Sequence, residues 1–325
     1  MDHADLDLLF ADPLPAGRIL FLNAGPHPAL AAAKDRVACV QGWKPEADAL
    51  LRAGLKLATA EGKYDAALVR LGRQREVNRA TLARALDALG PKGTLRVAGT
   101  NALGAASYEK DLKKLGLEGR SRSKGKARLF SAARGKADPA AWRGLDAPRP
   151  LGSTGFVTAP GVFAWDRFDA GSQLLAQHIP ADLAGAVADI GAGWGFLADA
   201  VLARAPAIGR LDAFEADAAA VACLAHNLAP YGARARALWH DVAGGIGTAA
   251  YDTVVANPPF HDARGENRAL GLRFVEVAAT ALKPGGRLFL VANRHLAYEQ
   301  RLSELFGEVR RLAEDAAFKV YCAKV

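Results

Sequence analysis

From residue 185 onward the chain alternates short apolar runs with stretches of helical periodicity. The runs at 186–190, 210–214, 235–239, 252–256 and 287–292 are near-continuously apolar, as strands buried on both faces must be. Between them, 196–204, 218–228 and 268–282 carry apolar residues on one face, and the last stretch ends at the helix stop Lys283-Pro284-Gly285-Gly286. Two further strands are expected near 308–312 and 317–323. This alternation predicts an α/β fold, a parallel sheet covered by helices.

The first half reads as a worn copy of the second. Tyr64-Asp65 opens an apolar run that leads through a helical stretch to Ala88-Leu89-Gly90-Pro91-Lys92-Gly93 and a second run. Tyr251-Asp252 leads in the same way to Ala281-Leu282-Lys283-Pro284-Gly285-Gly286. Residues 17–25 (GRILFLNAG) parallel 185–193 (GAVADIGAG). Two tandem Rossmann-like domains are therefore expected, over 1–145 and 151–325. The boundary is placed in 138–153, where three prolines interrupt the pattern.

Composition adds ample core, with 51% apolar and 23% charged residues over a length of 325. No apolar run is long enough to span a membrane, and the first residues lack the basic and apolar segments of a secretory signal. Cys39, Cys223 and Cys322 are scattered, and the histidines lack ligand spacing. A cytoplasmic monomer with no metal is the expectation. Charge is more informative. Eleven Lys and Arg against three acids between Lys110 and Arg143 carry the whole net charge of +8. Arg120, Arg122, Lys124, Lys126 and Arg128 form its centre. Such a tract either docks a polyanion such as RNA or is a solvated loop.

The candidate chemistry lies in the second half. Asp189-Ile190-Gly191-Ala192-Gly193-Trp194-Gly195 follows a strand and precedes a helix, so a ligand can lie against bare backbone at Gly191 and Gly193. The spacing is not that of a dinucleotide fingerprint, and the acid suits a cationic amino group better than a pyrophosphate. Glu215 ends the next strand, where a carboxylate either accepts from ribose hydroxyls or is a plain surface acid. Asp217 reads as a helix cap. Asp241 follows the third strand and is a candidate acceptor for an adenine amino group. The most specific run is Asn257-Pro258-Pro259-Phe260, after the fourth strand. Two prolines there fix a rigid turn over the crevice. An exocyclic amine is a poor nucleophile because its lone pair is delocalised. The Asn257 oxygen and the Pro258 carbonyl can accept its N–H bonds and direct the lone pair at an electrophilic methyl group, with Phe260 stacking on the base.

At these residues the sequence resembles the class I S-adenosylmethionine-dependent methyltransferases. Within them it resembles the small-subunit ribosomal RNA guanine-N2 methyltransferases, which carry a duplicated methyltransferase fold. The resemblance runs over about 160–325. It includes Pro160-Gly161-Val162-Phe163, Asp169 with Gly171-Ser172 and Leu175, Asn257 through Asp262, Val291-Ala292-Asn293 and Phe318-Lys319-Val320-Tyr321. It implies S-adenosylmethionine as cofactor, held by Asp189, Gly191, Gly193, Glu215, Asp241 and Asn257, and a guanine held by Asn257, Pro258, Pro259 and Phe260. Phe163 either borders the pocket or belongs to the core. The first half lacks the acid at Leu22-Asn23-Ala24-Gly25 and reads Arg70-Leu71-Gly72-Arg73 in the proline slot. It looks like a degenerate copy that serves RNA or ribosome docking. The alternatives are large-subunit guanine-N2 or adenine-N6 methylation, glutamine-N5 methylation of a release factor, and a non-catalytic RNA-binding assembly factor.

Overall fold

The computed structural model describes residues 4–259 and 267–325. The chain forms two compact units, Met1–Ala147 and Pro148–Val325. In the first, α1 (Ala4–Leu9), β1 (Ile19–Leu22), β2 (Val37–Val40), α2 (Lys44–Arg52), β3 (Lys56–Leu57) and β4 (Tyr64–Arg70) are followed by α3 (Arg75–Ala88), β5 (Leu89–Thr100), α4 (Ala105–Lys114), β6 (Gly119–Lys124) and β7 (Ala127–Ala133). The strands make one sheet in the order β3-β2-β1-β4-β5-β7-β6. It is parallel as far as β5 and antiparallel at β7 and β6.

The second unit opens with an antiparallel ribbon of β8 (Arg149–Pro150) and β9 (Val157–Thr158). Then come α5 (Ala170–Gln177), β10 (Gly185–Ile190), α6 (Phe196–Arg204), β11 (Ile208–Glu215), α7 (Ala218–Leu228), β12 (Ala235–Trp239) and β13 (Tyr251–Ala256). The unit ends with α8 (Asn267–Ala281), β14 (Leu282–Asn293), α9 (Glu299–Leu305), β15 (Glu308–Glu314) and β16 (Phe318–Lys324). Its sheet order, β12-β11-β10-β13-β14-β16-β15, repeats the first strand for strand. The expected tandem α/β fold is present.

Successive residues of the central strands feed opposite faces, so each strand must be apolar throughout. On one face Ile190, Val254 and Leu290 pack with Phe274, Val275 and Ala278 of α8 and Leu302 of α9. On the other, Val187, Leu211, Val255 and Phe289 pack with Leu175, Leu197, Val201 and Leu224 of α5, α6 and α7.

One local device occurs in both units. Gly17 and Gly185, with φ +77° and +75°, turn the chain into β1 and β10. The next amide, of Arg18 or Ala186, donates to Asp65 or Asp252 at 2.8 Å. A side chain at either glycine would meet that carboxylate, with Cβ 2.1 or 2.3 Å from its oxygen.

Two features depart from the sequence pattern. β14 begins at Leu282, five residues before the apolar run, because Leu282 already pairs with Tyr251 ahead of the Pro-Gly-Gly irregularity. The basic tract is not one loop, since it spans the end of α4 and the hairpin β6–β7 at the sheet edge. Among the described residues no helix is long and apolar enough to cross a membrane, and no His, Cys, Asp and Glu cluster could hold a metal.

Candidate active site

The order of the second sheet reverses at β10, with β11 on one side and β13 on the other. Beyond the carboxyl ends of strands at such a switch point an open sheet leaves a crevice. Here it is an open cleft lined by Phe163, Asp169, Ser172, Asp189, Gly191, Gly193, Trp194 and Asn257. The main chain turns through Gly191 at φ +75° and Gly193 at φ +57°. A Cβ at Gly193 would have nothing within 4 Å, so the turn faces open space. Asn227 of α7 clamps the turn from behind. Its amide donates to the Trp194 and Val157 carbonyls and accepts from the Val157 N–H.

Asp189 is 1% exposed, and neither carboxylate oxygen has a well-formed hydrogen bond among the described residues. Burial, and then the charge of Glu215, push its carboxyl up to about 8. Glu215, at the end of β11, accepts from the Gly193 N–H at 2.8 Å and from the Ala216 and Asp217 amides. Burial also raises Glu215 and Asp217 above the usual carboxylate range. Asp217 caps α7 through the Ala219 N–H. Asp241 accepts from Ala243 and caps the short helix Val242–Gly244. Glu215 and Asp241 do not themselves line the cleft. Of these acids Asp189 is the one held as the protonated acid near neutral pH, and an arriving cation would favour loss of its proton.

Asn257 follows β13 directly. Its side-chain nitrogen donates to Asp169 Oδ2 at 2.8 Å and to Ser172 Oγ at 2.7 Å. Its Oδ1 is buried and has no partner among the described residues. Pro258 is buried and Pro259 exposed, whereas Phe260 and His261 lie outside the described residues. Phe163 is 58% exposed at the cleft, so it is not a core residue. Among the candidate RNA contacts, Arg120, Arg122, Lys124 and Lys126 are exposed on β6 and its turn. Arg122 pairs with Asp12, and Arg128 is bound to Glu109. The roles of Asp169 and Ser172 are not apparent from the sequence alone. An Asp three residues before a Ser at the start of an apolar stretch signals a helix cap and nothing more.

Residues 153–322 match the family model of the methyltransferase small domain. The chain belongs to this family. The ribosomal RNA small subunit methyltransferase C of Shewanella pealeana is 34% identical over 174 residues, which are 53% of this chain and 50% of that protein. Its namesake in Chromohalobacter salexigens is 35% identical over 248 residues, 74% of this chain and 72% of that one. The chain thus spans about half the length of several curated relatives that it matches. A solved structure, the T. thermophilus 16S rRNA N2 G1207 methyltransferase in complex with AdoMet and guanosine, matches with a TM-score of 0.83 and 29% identity. The match covers 99% of this chain and 92% of that one.

The first unit shares the strand order of the second and carries different residues at the positions that match its cleft. Strand register makes Phe21 the counterpart of Asp189, Gln41 of Glu215 and Arg70 of Asn257. Asn23, at φ +52°, takes the place of Gly191. Arg70 is engaged by Asp5 and Glu46, each at 2.8 Å. A Cβ at Gly25, the counterpart of Gly193, would lie 2.9 Å from a methyl group of Leu6 in α1. Leu6 of α1 and the ion-paired Arg70 guanidinium crowd the place that corresponds to the cleft of the second unit.

Proposed function

We propose that the second unit binds S-adenosylmethionine and transfers its methyl group to the exocyclic N2 of a guanine in small-subunit (16S) ribosomal RNA, with the first unit docking the RNA. The observation that carries this reading is the Asn257 amide, whose N–H bonds are anchored while its oxygen is buried at the cleft and unpartnered among the described residues. An acceptor held in that way fits an incoming N–H donor.

The residues fit the cofactor. Asp189 is a buried carboxylate without a well-formed hydrogen bond among the described residues, suited to a cationic amino group. Gly191 and Gly193 leave backbone bare beside it, and Glu215 retains acceptor capacity for ribose hydroxyls. Asp241 is assigned to the adenine amino group. When bound, S-adenosylmethionine supplies a sulfonium methyl group that needs only a correctly aimed lone pair. Asn257 Oδ1 and the Pro258 carbonyl accept the two N–H bonds of the guanine amine, and Pro259 stiffens the turn. Phe260 is assigned the face on which the base stacks. No strong base is needed before transfer, because the acceptors stabilise the positive charge as it develops on nitrogen. Arg120, Lys124 and Lys126 are assigned to phosphates, with Arg122 and Arg128 sharing their charge with Asp12 and Glu109.

The test is transfer of labelled methyl from S-adenosylmethionine to small subunits and naked rRNA from cells lacking this protein, followed by nucleoside analysis. Label in N2-methylguanosine, reduced about 100-fold or more by Asn257→Ala, is the expected result. Label only in large-subunit RNA, in N6-methyladenosine or in a protein glutamine would overturn it.

A further inference from the structure

We infer that Asp169 and Ser172 are positioning residues that set which way round the Asn257 amide is held, and that Asp169 is the reason position 257 must be an amide and not a carboxylate. The inference rests on the proposed amine methylation and deepens it.

Asp169 precedes α5, and its Oδ2 accepts from the Ser172 backbone N–H at 2.8 Å, the ordinary capping bond. The same oxygen accepts from the Asn257 side-chain nitrogen, also at 2.8 Å. Ser172 Oγ takes the second N–H of that nitrogen at 2.7 Å. A carboxylate only accepts, so the Asn257 amide can meet it only with its NH₂ end. The opposite flip would set the carbonyl oxygen against a carboxylate. With both N–H bonds committed, Oδ1 is left as the buried acceptor at the cleft. A cap alone needs neither the contact with Asn257 nor its Ser172 partner.

An Asp at position 257 would also have acceptor oxygens, and judged by the amine alone it would serve. In this chain it would stand at hydrogen-bonding distance from Asp169, carboxylate against carboxylate. Reversing both residues restores the bond with opposite polarity. Because one oxygen of Asp169 makes both contacts, an Asn at 169 that turns its NH₂ to an Asp at 257 gives up the capping bond, and the second oxygen of that Asp is then free for the amine.

The experiment compares full-length wild type, Asp169→Asn, Asn257→Asp and the double variant in methyl transfer to the RNA substrate, with kcat and KM for S-adenosylmethionine separated and folding checked by circular dichroism. Each single variant is expected to lower kcat, Asn257→Asp by about 100-fold. The double variant should recover at least about tenfold over Asn257→Asp, because the coupling is between adjacent groups. KM for S-adenosylmethionine should change far less than kcat throughout. Two outcomes overturn the inference. One is a double variant no better than Asn257→Asp alone. The other is Asp169→Asn at wild-type kcat with Asn257→Asp active by itself, which would make Asp169 a cap only. Failure of the wild type to methylate RNA would instead sink the amine-methylation reading, a distinct result.

Discussion

Asp189 is a poor residue for the stability of this fold, and its acidity gives that statement a sign. In the unfolded chain its carboxyl titrates near the usual 3.8, and in the folded protein near 8. As pH rises between those values the unfolded state gives up this proton and the folded state keeps it, so stability falls across that window. Asp189→Asn should therefore raise the melting temperature of the cofactor-free protein by about 5 °C at pH 8 and by little at pH 4. The same variant should lose the stabilisation that added S-adenosylmethionine gives the wild type. An equal shift at both pH values would show that the carboxyl is not held protonated. Asn227 is the opposite kind of residue. Removing its side chain strands the Val157 N–H and two carbonyls behind the glycine turn. Asn227→Ala should cost about 3 kcal/mol in urea denaturation, whereas an exposed asparagine would cost nearly nothing.

The turn into the central strand recurs in both units, and so should its energetics. Gly17→Ala and Gly185→Ala each force a left-handed residue against a carboxylate. Each should destabilise its own unit by about 1–3 kcal/mol, read as a lowered calorimetric transition. A loss at Gly185 without one at Gly17 would mean that the first copy has abandoned the device. Elements of this kind show how far the sequence was legible. Strands β10 and β13 and helices α6 and α7 announce themselves, because burial on both faces leaves a continuous apolar run and burial on one face imposes a period; β12, at the sheet edge, has no fully buried residue. β6 does not announce itself: its sequence is GRSRSK, every residue is exposed, and a strand with no buried face leaves no alternation of apolar and polar residues to read. Helix α1 spans only six residues, too few to establish a helical period. At the site, the glycine turn and Asn257 were legible from residue type and position. The anchoring of Asn257 was not, since Asp169 lies 88 residues away and only the fold brings the two together.

Over the whole molecule, charge is segregated. The basic tract reaches solvent on β6 and its turn, where Arg120, Arg122 and Lys124 alternate with serines and so share a strand face. Replacing Arg120, Lys124 and Lys126 together by Glu should weaken RNA binding about tenfold or more at low salt and flatten the dependence of log Kd on log salt. A binding isotherm unchanged in both respects would assign the tract to solubility alone. The first unit carries a separate consequence. Leu6 and Arg70 occupy its switch point, while the matching point of the second unit is open. A duplicated architecture invites the assumption of two equivalents of ligand per polypeptide. A calorimetric titration with a cofactor mimic should instead saturate at one, leaving a competitive inhibitor a single target on each chain.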